Sequence, residues 1–564
     1  MSTAAAAPQG NIRLAATLLL LRDVAGGAEP GFELLMLRRA ERDNDFRSGA
    51  VVFPGGALDA SDGQAHRFVL GADDATLSAR YGLDRGMLDH AIAAVRETFE
   101  EVGLLLACDD LGRPAEPRPV WTEWRGRLQR GEATLAQMCQ ALDLKIDLRR
   151  LACWSHWVTP PGVPKRFDTR FFLAPVPPGQ QPDADRAEAT ELMWLTPQQA
   201  LARGDDLKLL PVTQRTLSDL SVFANTAEAL AGAAAQTVIP ATRPRRALNR
   251  RGLTVVQPDD WAYAEVCKLD PDGLAHDAWA ELLPGRAVRL SDRVLRVTAP
   301  NPGMMTGPGT NSYFVGCPES DRWALIDPGP ADAAHLAALQ AAAPGPVHWV
   351  LATHTHVDHS PGCVAAAAAF GATVLGRRPR HPQGQDASFA PAHEPEHGER
   401  LALGPQATLR VIHTPGHASN HLCWLLEEEK LLFTGDHVMQ GSTVVINPPD
   451  GDMAAYLRAL QALLAEDLQW LAPGHGFLVA EPHAVLRALI AHRLKREAKV
   501  VAALQPRGQA AIDELLPEVY ADTPPRLHPV ARRSLLAHLL KLQADGRAAR
   551  VGDTDGDDWR WIAA

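Results

Sequence analysis

Three imidazoles and one carboxylate fall within six consecutive residues of this chain, in the string HTHVDH at 354–359. Alternation along an extended segment places His354 and His356 on one side, while Asp358 and His359 follow just past the expected turn. Imidazole nitrogen and carboxylate oxygen are donors that bind Zn²⁺ in catalytic sites. The string therefore predicts ligands for two ions that lie a few ångström apart.

Three later strings carry further donors, each in a Gly- or Pro-containing turn after an apolar, strand-like run. TPGH ends at His417, TGD ends at Asp436, and PGHG surrounds His475. A single His-x-His pair is more often an ordinary surface or core pair, but seven donors in four ordered motifs favour a metal site. We expect two Zn²⁺ ions that activate a water for hydrolysis, with Asp436 giving one oxygen to each. The expected ligands are His354, His356, Asp358, His359, His417, Asp436 and His475, and Asp358 is also expected to be catalytic.

From about Leu283 onward, the chain resembles the metallo-β-lactamase superfamily, through these motifs and through NPGMMTGPGTNSYFVG at 301–316. The resemblance implies a four-layer αββα sandwich with metals at one edge. The superfamily contains lactamases, thioesterases, lactonases and nucleases, so the metal site alone predicts only a hydrolase. The strings TPGHASNHLCWLLEEEKLLFTGD and PGHGFLVAEP resemble a branch of endoribonucleases that ends in a winged helix. This closer resemblance implies a phosphodiesterase with single-stranded RNA as a partner.

His421 lies four residues after His417 and is, by motif position, the candidate to assist the leaving group. The other interpretation is a histidine that supports a ligand or lies at the surface. A thioester or lactone substrate, as in glyoxalase II-like relatives, also stays open. An anion site beside the metals would favour a nuclease, whereas an apolar tunnel would favour an acyl substrate.

The last part of the chain predicts a small winged-helix-like module. A helical run is stopped by Gly546, and two short strands follow. From Arg493 to the end there are 12 Lys and Arg against 10 Asp and Glu, which is not the basic excess of a dedicated nucleic-acid binder. A packing or dimerisation role is therefore an equal alternative to RNA contact.

A second set of carboxylates lies near the other end of the chain, in AAVRETFEEVGLLL at 93–106. Glu97, Glu100 and Glu101 stand at i, i+3 and i+4, so they share one face of a predicted helix. Hard oxygen ligands suit Mg²⁺ or Mn²⁺, and Glu100 and Glu101 are the candidate catalytic residues. Arg96 is expected to orient the glutamates through charge-assisted hydrogen bonds.

Upstream, FPGGALDASD supplies Gly55 and Gly56, and the two strings together resemble a Nudix box. The gap from Gly56 to Arg96 is much longer than the usual box allows, and Asp62 stands where glutamate is usual. Such an insertion is similar to that of the peroxisomal coenzyme A diphosphatase branch, which also shares RSGAVVFPGGALDA and WSHWVTPPGVPKRFDTRFFLAPVP. The resemblance implies a small-molecule diphosphate substrate, with Gly55, Gly56 and Arg96 at its site. Asp45 stands where the coenzyme A signature has arginine, so dinucleotides and nucleotide sugars stay open.

Two further interpretations concern this half. Arg166 and Arg170, in KRFDTRFF, could contact phosphates or could protect the edge of a sheet. The Nudix half could also be a regulatory ligand-binding module. Three adjacent carboxylates that repel one another argue for a bound cation instead.

Composition limits the remaining possibilities. The chain has 564 residues and a net charge of −11, which indicates several domains and argues against a general nucleic-acid or anionic-membrane binder. We expect a cytoplasmic protein, because apolar spans, a signal sequence and CxxC spacing are absent from the sequence, and LAATLLLLR is too short for anything but a strand. The expected parts, in mixed α/β and α+β folds, are a Nudix α/β/α sandwich at 10–265, a linker at 266–282, the αββα sandwich at 283–492 and the winged-helix-like module at 493–564.

Overall fold

The computed structural model describes residues 12–24, 31–41, 48–184, 189–552 and 557–562, and Asp45 lies outside these ranges. The chain forms two compact units, Met1–Arg246 and Ala247–Ala564. Each unit has its own hydrophobic cores.

The first unit contains an eight-stranded mixed sheet with helices on both faces and a separate sheet of three short strands. Its strands are β1 (Ile12–Asp23), β2 (Phe32–Arg39), β3 (Val51–Val52), β4 (Gly55–Ala57), β5 (Val69–Leu70), β6 (Ala107–Cys108), β7 (Lys145–Asp147), β8 (Ala152–Val158), β9 (Arg166–Pro175), β10 (Ala189–Leu195) and β11 (Ala241–Thr242). Its helices are α1 (Asp74–Arg80), α2 (Met87–Val102), α3 (Val120–Gln129), α4 (Leu135–Leu142), α5 (Pro197–Ala202), α6 (Gly204–Leu207), α7 (Pro211–Leu220) and α8 (Thr226–Ala235), with a 3₁₀ helix at Asp62–Phe68.

The strand order of the main sheet is β10-β2-β1-β9-β8-β11, with β3 paired to β2 and β4 paired to β1. The run LAATLLLLR forms most of β1, as expected. Leu18 and Leu20 of β1 face the core that contains α2, whereas Leu19 and Leu21 face the core that contains α7 and α8. Burial on both faces explains why this strand is continuously apolar. The predicted α/β/α sandwich is confirmed.

Because β9 lies between β1 and β8, its arginines do not protect a sheet edge, and that interpretation of Arg166 and Arg170 is wrong. Arg166 donates from Nε to the carbonyl of Thr159, 3.1 Å away. The two strands next to β9 supply the hydrogen bonds that an edge strand would lack.

The second unit contains the remaining elements, and β12 begins two residues before the boundary at Ala247. Its strands are β12 (Arg245–Asn249), β13 (Gly252–Val256), β14 (Ala287–Arg289), β15 (Val294–Thr298), β16 (Asn311–Cys317), β17 (Arg322–Ile326), β18 (Val347–Leu351), β19 (Thr373–Leu375), β20 (Arg400–Gly404), β21 (Ala407–His413), β22 (Leu422–Leu426), β23 (Leu431–Gly435), β24 (Trp470–Pro473), β25 (Val479–Ala480), β26 (Gln509–Ala511), β27 (Ala548–Arg550) and β28 (Asp558–Trp561). Its helices are α9 (Tyr263–Leu269), α10 (Ala333–Ala342), α11 (Gly362–Phe370), α12 (Met453–Leu463), α13 (Pro482–Leu504), α14 (Ile512–Val519) and α15 (His528–Ala544), with 3₁₀ helices at Glu427–Glu429 and Pro525–Leu527.

Two six-stranded sheets, β14 to β19 and β20 to β25 in sequential order, form the middle layers of this unit. They share one core, in which the rings of Tyr313 and Phe433 meet edge to face with centroids 5.0 Å apart. Leu339 of α10 and Ala366 of α11 lie in the core on the outer face of the first sheet, and α12 packs on the outer face of the second. The predicted αββα sandwich is confirmed.

The boundary between the units lies earlier than the expected start near Leu283. Residues 247–282, which the sequence analysis divides between a Nudix extension and a linker, pack on the second unit through Val266 and Phe477. Buried Glu265 accepts two hydrogen bonds from buried Arg296, at 2.7 and 2.8 Å. A paired buried charge of this kind holds α9 against β15, which composition alone does not reveal.

After the sandwich, α13 runs without a break from Pro482 to Leu504 and passes the expected domain boundary at 492/493. Its last turns pack with α14, α15 and the three-stranded sheet β26-β28-β27 around Trp559. All seven cysteines are free thiols. Across the described residues, none of the helices combines the length and apolar character that a membrane-spanning segment needs.

Candidate metal centres

The candidate donors of the second unit all follow the carboxyl ends of strands. HTHVDH follows β18, and the other three strings follow β21, β23 and β24. The structure brings the seven side chains into two groups. We call His354, His356 and His417 the histidine group, and Asp358, His359, Asp436 and His475 the carboxylate group. In each group the potential ligand atoms all lie within 4.8 Å of one another.

In the histidine group, Nδ1 of His356 lies 2.9 Å from Nε2 of His354 and 3.0 Å from Nε2 of His417. In the carboxylate group, Oδ1 of Asp436 lies 3.3 Å from Nε2 of His359 and 3.3 Å from Nε2 of His475. The other oxygen of Asp436 lies 3.7 Å from Nε2 of His417. Asp436 therefore touches both groups, as a bridging carboxylate must.

Four of these histidines place Nδ1 against an acceptor of the protein. The pairs are His354 with Oγ1 of Thr353 at 3.0 Å, His359 with Oδ2 of Asp327 at 2.9 Å, His417 with the carbonyl of Val445 at 2.8 Å and His475 with the carbonyl of Gly309 at 3.2 Å. A neutral imidazole that donates from Nδ1 keeps its lone pair on Nε2. In all four rings, Nε2 is the atom that faces the other donors, so hydrogen bonding sets the tautomer that a metal ligand requires.

Sequence reasoning missed Asp327, which organises this arrangement. Its carboxylate accepts hydrogen bonds from the amide and the hydroxyl of Thr353, both at 2.7 Å, as well as from His359. The available signal was the string LIDPG, an aspartate in a Pro-Gly turn directly after β17. Gly474 was also missed, since a Cβ there would lie 2.7 Å from Cε1 of His359 and 2.8 Å from Oδ1 of Asp436.

Burial and charge set the protonation of the site. Burial lowers the pKa of His356 to about 4. Burial opposes ionisation of Asp436, but nearby His475 and His359 hold its pKa well below the usual range. Burial likewise lowers the pKa of His359, but Asp358, Asp436 and Asp327 raise it well above the usual range. The carboxylate group therefore concentrates negative charge that attracts cations.

Three buried atoms of the carboxylate group have no hydrogen-bond partner among the described residues. They are Nε2 of His359, Nε2 of His475 and Oδ1 of Asp436. Buried polar atoms are almost always paired, and those without a partner are often metal ligands. The donor set thus fits two divalent cations with nitrogen and oxygen ligands.

His421 lies behind His354 and is not a member of either donor group. Its ring is fully buried and stacks on His354, with centroids 5.1 Å apart, and its Nδ1 lies 2.9 Å from Oγ1 of Thr414. The proposed contact with a leaving group is not supported by this position. His421 instead packs behind a candidate ligand, which matches the alternative of a supporting histidine.

A basic segment, 377–381 with the sequence RRPRH, lies beside the histidine group. The carbonyl of Arg377 accepts a hydrogen bond from Asn420, which also donates to Thr355 between the two ligands of HTH. The amide of Arg380 donates to Oγ of Ser419, two residues after His417. Arg378, Arg380 and His381 are exposed.

Apolar side chains are exposed on two other loops of the site. Val357 of HTHVDH is 64% exposed, and Met304 and Met305 are 74% and 51% exposed. The loop with the methionines leads to Gly309, whose carbonyl accepts from His475. Both a basic and an apolar surface therefore adjoin the metal ligands.

In the first unit, Arg96 joins the two halves of the interrupted motif. It donates to Asp62 at 2.7 Å, to Glu97 at 2.9 Å, to Glu100 at 3.3 Å and to the carbonyl of Ala57 at 2.8 Å. Asp62 is 1% exposed, so this pair is shielded from water. Despite the inserted residues, the glycine loop is bonded to α2 through Arg96, which contacts both Ala57 and Asp62. Asp62 stands where glutamate is usual.

The glycines are required by close approach to the glutamates. A Cβ on Gly56 would lie 2.4 Å from the carboxylate of Glu97, and the amide of Gly55 donates to Glu101 at 2.9 Å. Burial raises the pKa of Glu97 to about 7, and the charge of Glu100 adds to this against the opposing charge of Arg96. Carboxylates that repel one another favour a bound hard cation, but Glu97, Glu100 and Glu101 are not among the described donor groups whose ligand atoms all lie within 4.8 Å of one another.

Three family models match the chain in order. They are the NUDT19 Nudix domain at residues 85–210, the metallo-beta-lactamase superfamily at 305–475 and the beta-lactamase associated winged helix domain at 511–559. These matches confirm the three predicted domain types, including the winged helix.

Similar proteins align with one half or the other. An "atrochrysone carboxyl ACP thioesterase" of Aspergillus chevalieri is 32% identical over 292 residues, which span 49% of this chain and 88% of that protein. A "beta-lactamase-like protein 2 homolog" of Drosophila melanogaster is 30% identical over 282 residues, 47% of this chain and 92% of the relative. A solved NUDIX hydrolase from Alicyclobacillus acidocaldarius has 32% identity, covers 39% of this chain and 96% of its own, and has a TM-score of 0.34.

Proposed function

This chain belongs to the metallo-beta-lactamase superfamily and is a hydrolase that also carries a Nudix domain; from this premise, we propose that it has two separate active sites. One is a dinuclear Zn²⁺ site that cleaves a phosphodiester, with single-stranded RNA as substrate. The other is a Mg²⁺- or Mn²⁺-dependent site that cleaves a nucleoside diphosphate derivative such as coenzyme A.

The observation that carries the zinc proposal is the shared tautomer of His354, His359, His417 and His475. A pair of bound Zn²⁺ ions would supply hydroxide at neutral pH and Lewis acidity toward the scissile ester. Acceptors such as Asp327 hold the candidate ligands in the tautomer that leaves the lone pair on Nε2. Asp436 lies against both the histidine group and the carboxylate group. Buried ligands of this kind hold their geometry without reorganisation.

The basic segment 377–381 supports a phosphodiester as substrate. Exposed Arg380 and His381 lie on a segment that Asn420 links to Thr355 and that donates to Ser419, next to candidate ligands, while Arg378 is paired with Glu394. Arginine and lysine near a scissile phosphate attract the polyanion and position its backbone. Because the chain as a whole has a net charge of −11, a segment with three arginines and one histidine stands out as a local basic surface.

A thioester is the second candidate substrate of the zinc site. The Aspergillus chevalieri relative is named a thioesterase, and Met304, Met305 and Val357 offer an exposed apolar surface for an acyl chain. Met304 and Met305 lie on the loop that leads to Gly309, whose carbonyl accepts from His475.

For the Nudix site, the supporting observation is that Arg96 donates to both Glu97 and Glu100, while the amide of Gly55 donates to Glu101. A bound Mg²⁺ or Mn²⁺ would neutralise the charge of the diphosphate. In this proposal Glu97 and Glu100 bind the cation, and Glu101 accepts a hydrogen bond from the amide of Gly55. A module that only binds a regulatory ligand has no need of such crowding.

The test uses the intact protein and four variants. Single-stranded RNA, S-acyl pantetheine and coenzyme A are assayed with Asp436→Asn and Glu100→Gln, and with the exposed controls Asp467→Asn and Glu123→Gln. Asp436→Asn should abolish ester cleavage only, Glu100→Gln should abolish diphosphate cleavage only, and the controls should retain both. Thioester cleavage without RNA cleavage would select the second candidate, and loss of neither activity in the two site variants would contradict the proposal.

A further inference from the structure

A cavity of about 500 Å³ lies in the second unit, between the hairpin β12–β13 and the residues that lead into α9. Its wall includes Val255 of β13, Ala262 just before α9 and Phe477 from the loop after β24. A volume of this size is typical of a site that holds a small organic ligand. The residues that line it all fall outside 305–475, the range that matches the metallo-beta-lactamase family model. The cavity is therefore an addition to the part of the chain that the family model describes.

The cavity adjoins the carboxylate group. Phe477 follows His475 by two residues, so their Cα atoms are at most about 7 Å apart. Gln440 joins two parts of the wall, because its Oε1 accepts from the amide of Phe477 and its Nε2 donates to the carbonyl of Trp261, both at 2.9 Å. Gln440 itself lies four residues after Asp436, the candidate bridging ligand. A ligand in the cavity would therefore lie beside the metal centre.

Trp261 gives the cavity an exposed aromatic face. The residue is 62% exposed, although its backbone is held by Gln440. Its ring is held as well, because it lies so close to Gly441 that a Cβ there would be 2.5 Å from Cζ2 of the tryptophan. An aromatic ring that is fixed in position and open to solvent suits the stacking of a flat ligand.

The charged side chains that line the cavity are carboxylates, those of Asp259, Asp260 and Glu281. The amide of Gln257 donates to Oδ2 of Asp260 at 2.6 Å, which fixes the direction of this carboxylate. A carboxylate accepts several hydrogen bonds, so this contact leaves Asp260 able to bind a further donor. Carboxylates accept from N–H groups but repel phosphate. The cavity therefore suits a flat ring with N–H donors at its edge, and not an anion.

The basic segment 377–381 adjoins the other donor group. The amide of Arg380 donates to Ser419, two residues after His417 of the histidine group, whereas the cavity adjoins the carboxylate group. Positive and negative surfaces thus lie beside different donor groups of the metal centre. A single-stranded RNA has an anionic backbone and neutral bases, which match these two surfaces.

We propose that the cavity binds one guanine base of the RNA substrate, with its ring stacked on Trp261 and its N1–H and N2–H groups donating to Asp260. This inference rests on the proposed RNA cleavage and extends it to a base preference. Guanine presents two adjacent N–H donors that match the two oxygens of one carboxylate, whereas uracil places its single N–H between two carbonyl oxygens that a carboxylate repels. Proteins commonly recognise single-stranded RNA by aromatic stacking together with hydrogen bonds to the base edge.

The first experiment measures the binding of guanosine and uridine to the full chain by calorimetry. Guanosine should bind at least about tenfold more tightly than uridine, because only guanine gives two hydrogen bonds to a charged group. Asp260→Asn should weaken guanosine binding about tenfold or more, and its amide oxygen can still accept from Gln257. The matched control Asp272→Asn changes an exposed aspartate outside the cavity and should bind guanosine as the parent does. Absence of guanosine binding to the parent, or equal binding by Asp260→Asn, would overturn the inference.

Stacking is tested separately by two substitutions of Trp261. Trp261→Ala should weaken guanosine binding about tenfold, whereas Trp261→Phe keeps an aromatic ring and should retain most of the affinity. Unchanged binding by Trp261→Ala would contradict the stacking. If thermal unfolding shows that Trp261→Ala is less stable than the parent, the comparison moves to Trp261→Phe, whose failure to bind guanosine would equally contradict it.

A comparison ligand distinguishes a base from a cation. Tyramine has an aromatic ring and a charged amine, so it can stack on Trp261 and pair with a carboxylate. Guanosine should bind more tightly than tyramine. The reverse order would mean that the carboxylates of the cavity take a cation, and the inference would be wrong.

The last arm follows the cleavage of an oligouridine that contains a single guanosine. The parent should cut at a fixed distance from the guanosine, and Asp260→Asn should lose this preference while its bound zinc, counted by elemental analysis, stays equal to that of the parent. Even cutting along the oligomer by the parent would count against the inference. If the parent cleaves no RNA at all, the proposed function fails, and the guanosine-binding result stands apart from that failure.

Discussion

Replacing Asp327 by asparagine tests whether a hydrogen bond behind the ligands controls the metal centre. Asp327 accepts three hydrogen bonds, from the amide and hydroxyl of Thr353 and from Nδ1 of His359, at 2.7, 2.7 and 2.9 Å. In Asp327→Asn, the amide oxygen can keep the bond to the backbone, but the NH₂ group then faces His359. A donor in this position favours the tautomer that carries its proton on Nε2, which removes the lone pair that a cation needs.

The expected loss of Zn²⁺ affinity follows because His359, one of the four candidate ligands in the carboxylate group, would bind the cation less well. Changing the partner of a ligating histidine typically weakens metal affinity about 10- to 100-fold, which corresponds to about 1.4–2.8 kcal/mol. Zn²⁺ affinity is measured by competition with a chromophoric chelator, and bound zinc is counted by elemental analysis. Ester cleavage should fall in parallel at limiting Zn²⁺ and recover in part at high Zn²⁺.

The matched control is Asp332→Asn, which makes the same chemical change five residues along the chain. Asp332 caps the start of α10 by accepting from the amide of His335 at 2.7 Å, and asparagine caps helices equally well. This variant should bind Zn²⁺ as the parent does. If Asp327→Asn also binds Zn²⁺ as tightly as the parent, the tautomer argument is refuted.

Three further outcomes follow from the structure. Burial lowers the pKa of His335 to about 4, so the unfolded chain takes up more protons than the folded chain as the pH falls below 6.5. The second unit should therefore lose about 2 kcal/mol of unfolding free energy between pH 7 and pH 5. Urea titration should show that His335→Gln does not lose this contribution. Glu265→Gln leaves the charge of buried Arg296 unpaired and should cost about 3–5 kcal/mol, whereas replacing both residues by methionine should restore most of the unfolding free energy; equal losses in the single and double variants would contradict this. Gly56→Ala should abolish diphosphate cleavage, because its Cβ would meet Glu97, while Gly63→Ala, which has only a 3.7 Å neighbour, should remain active.

The sequence predicts the candidate ligands well because each one stands in a short string with its own turn. His354, His417 and His475 need only local geometry to appear at the end of a strand, and the order of their motifs indicates the domain. The three glutamates of α2 follow equally from helical spacing. Charge and composition added little beyond excluding a general nucleic-acid binder.

What the sequence could not predict depends on partners that are distant along the chain. The role of Asp327 arises from a contact with His359, 32 residues later, and the boundary near Ala247 arises from the pair Glu265–Arg296. His421 has the expected motif position, but its ring is fully buried and stacks on His354.

The continuous helix α13 connects the sandwich to the C-terminal module. Its first half contributes Leu486 to the core behind the second sheet, and its second half contributes Val500 and Leu504 to the core of the C-terminal module. With 23 residues it forms a stiff rod about 34 Å long. The C-terminal module is therefore held at a set distance from the sandwich, because one continuous helix leaves no flexible joint between them.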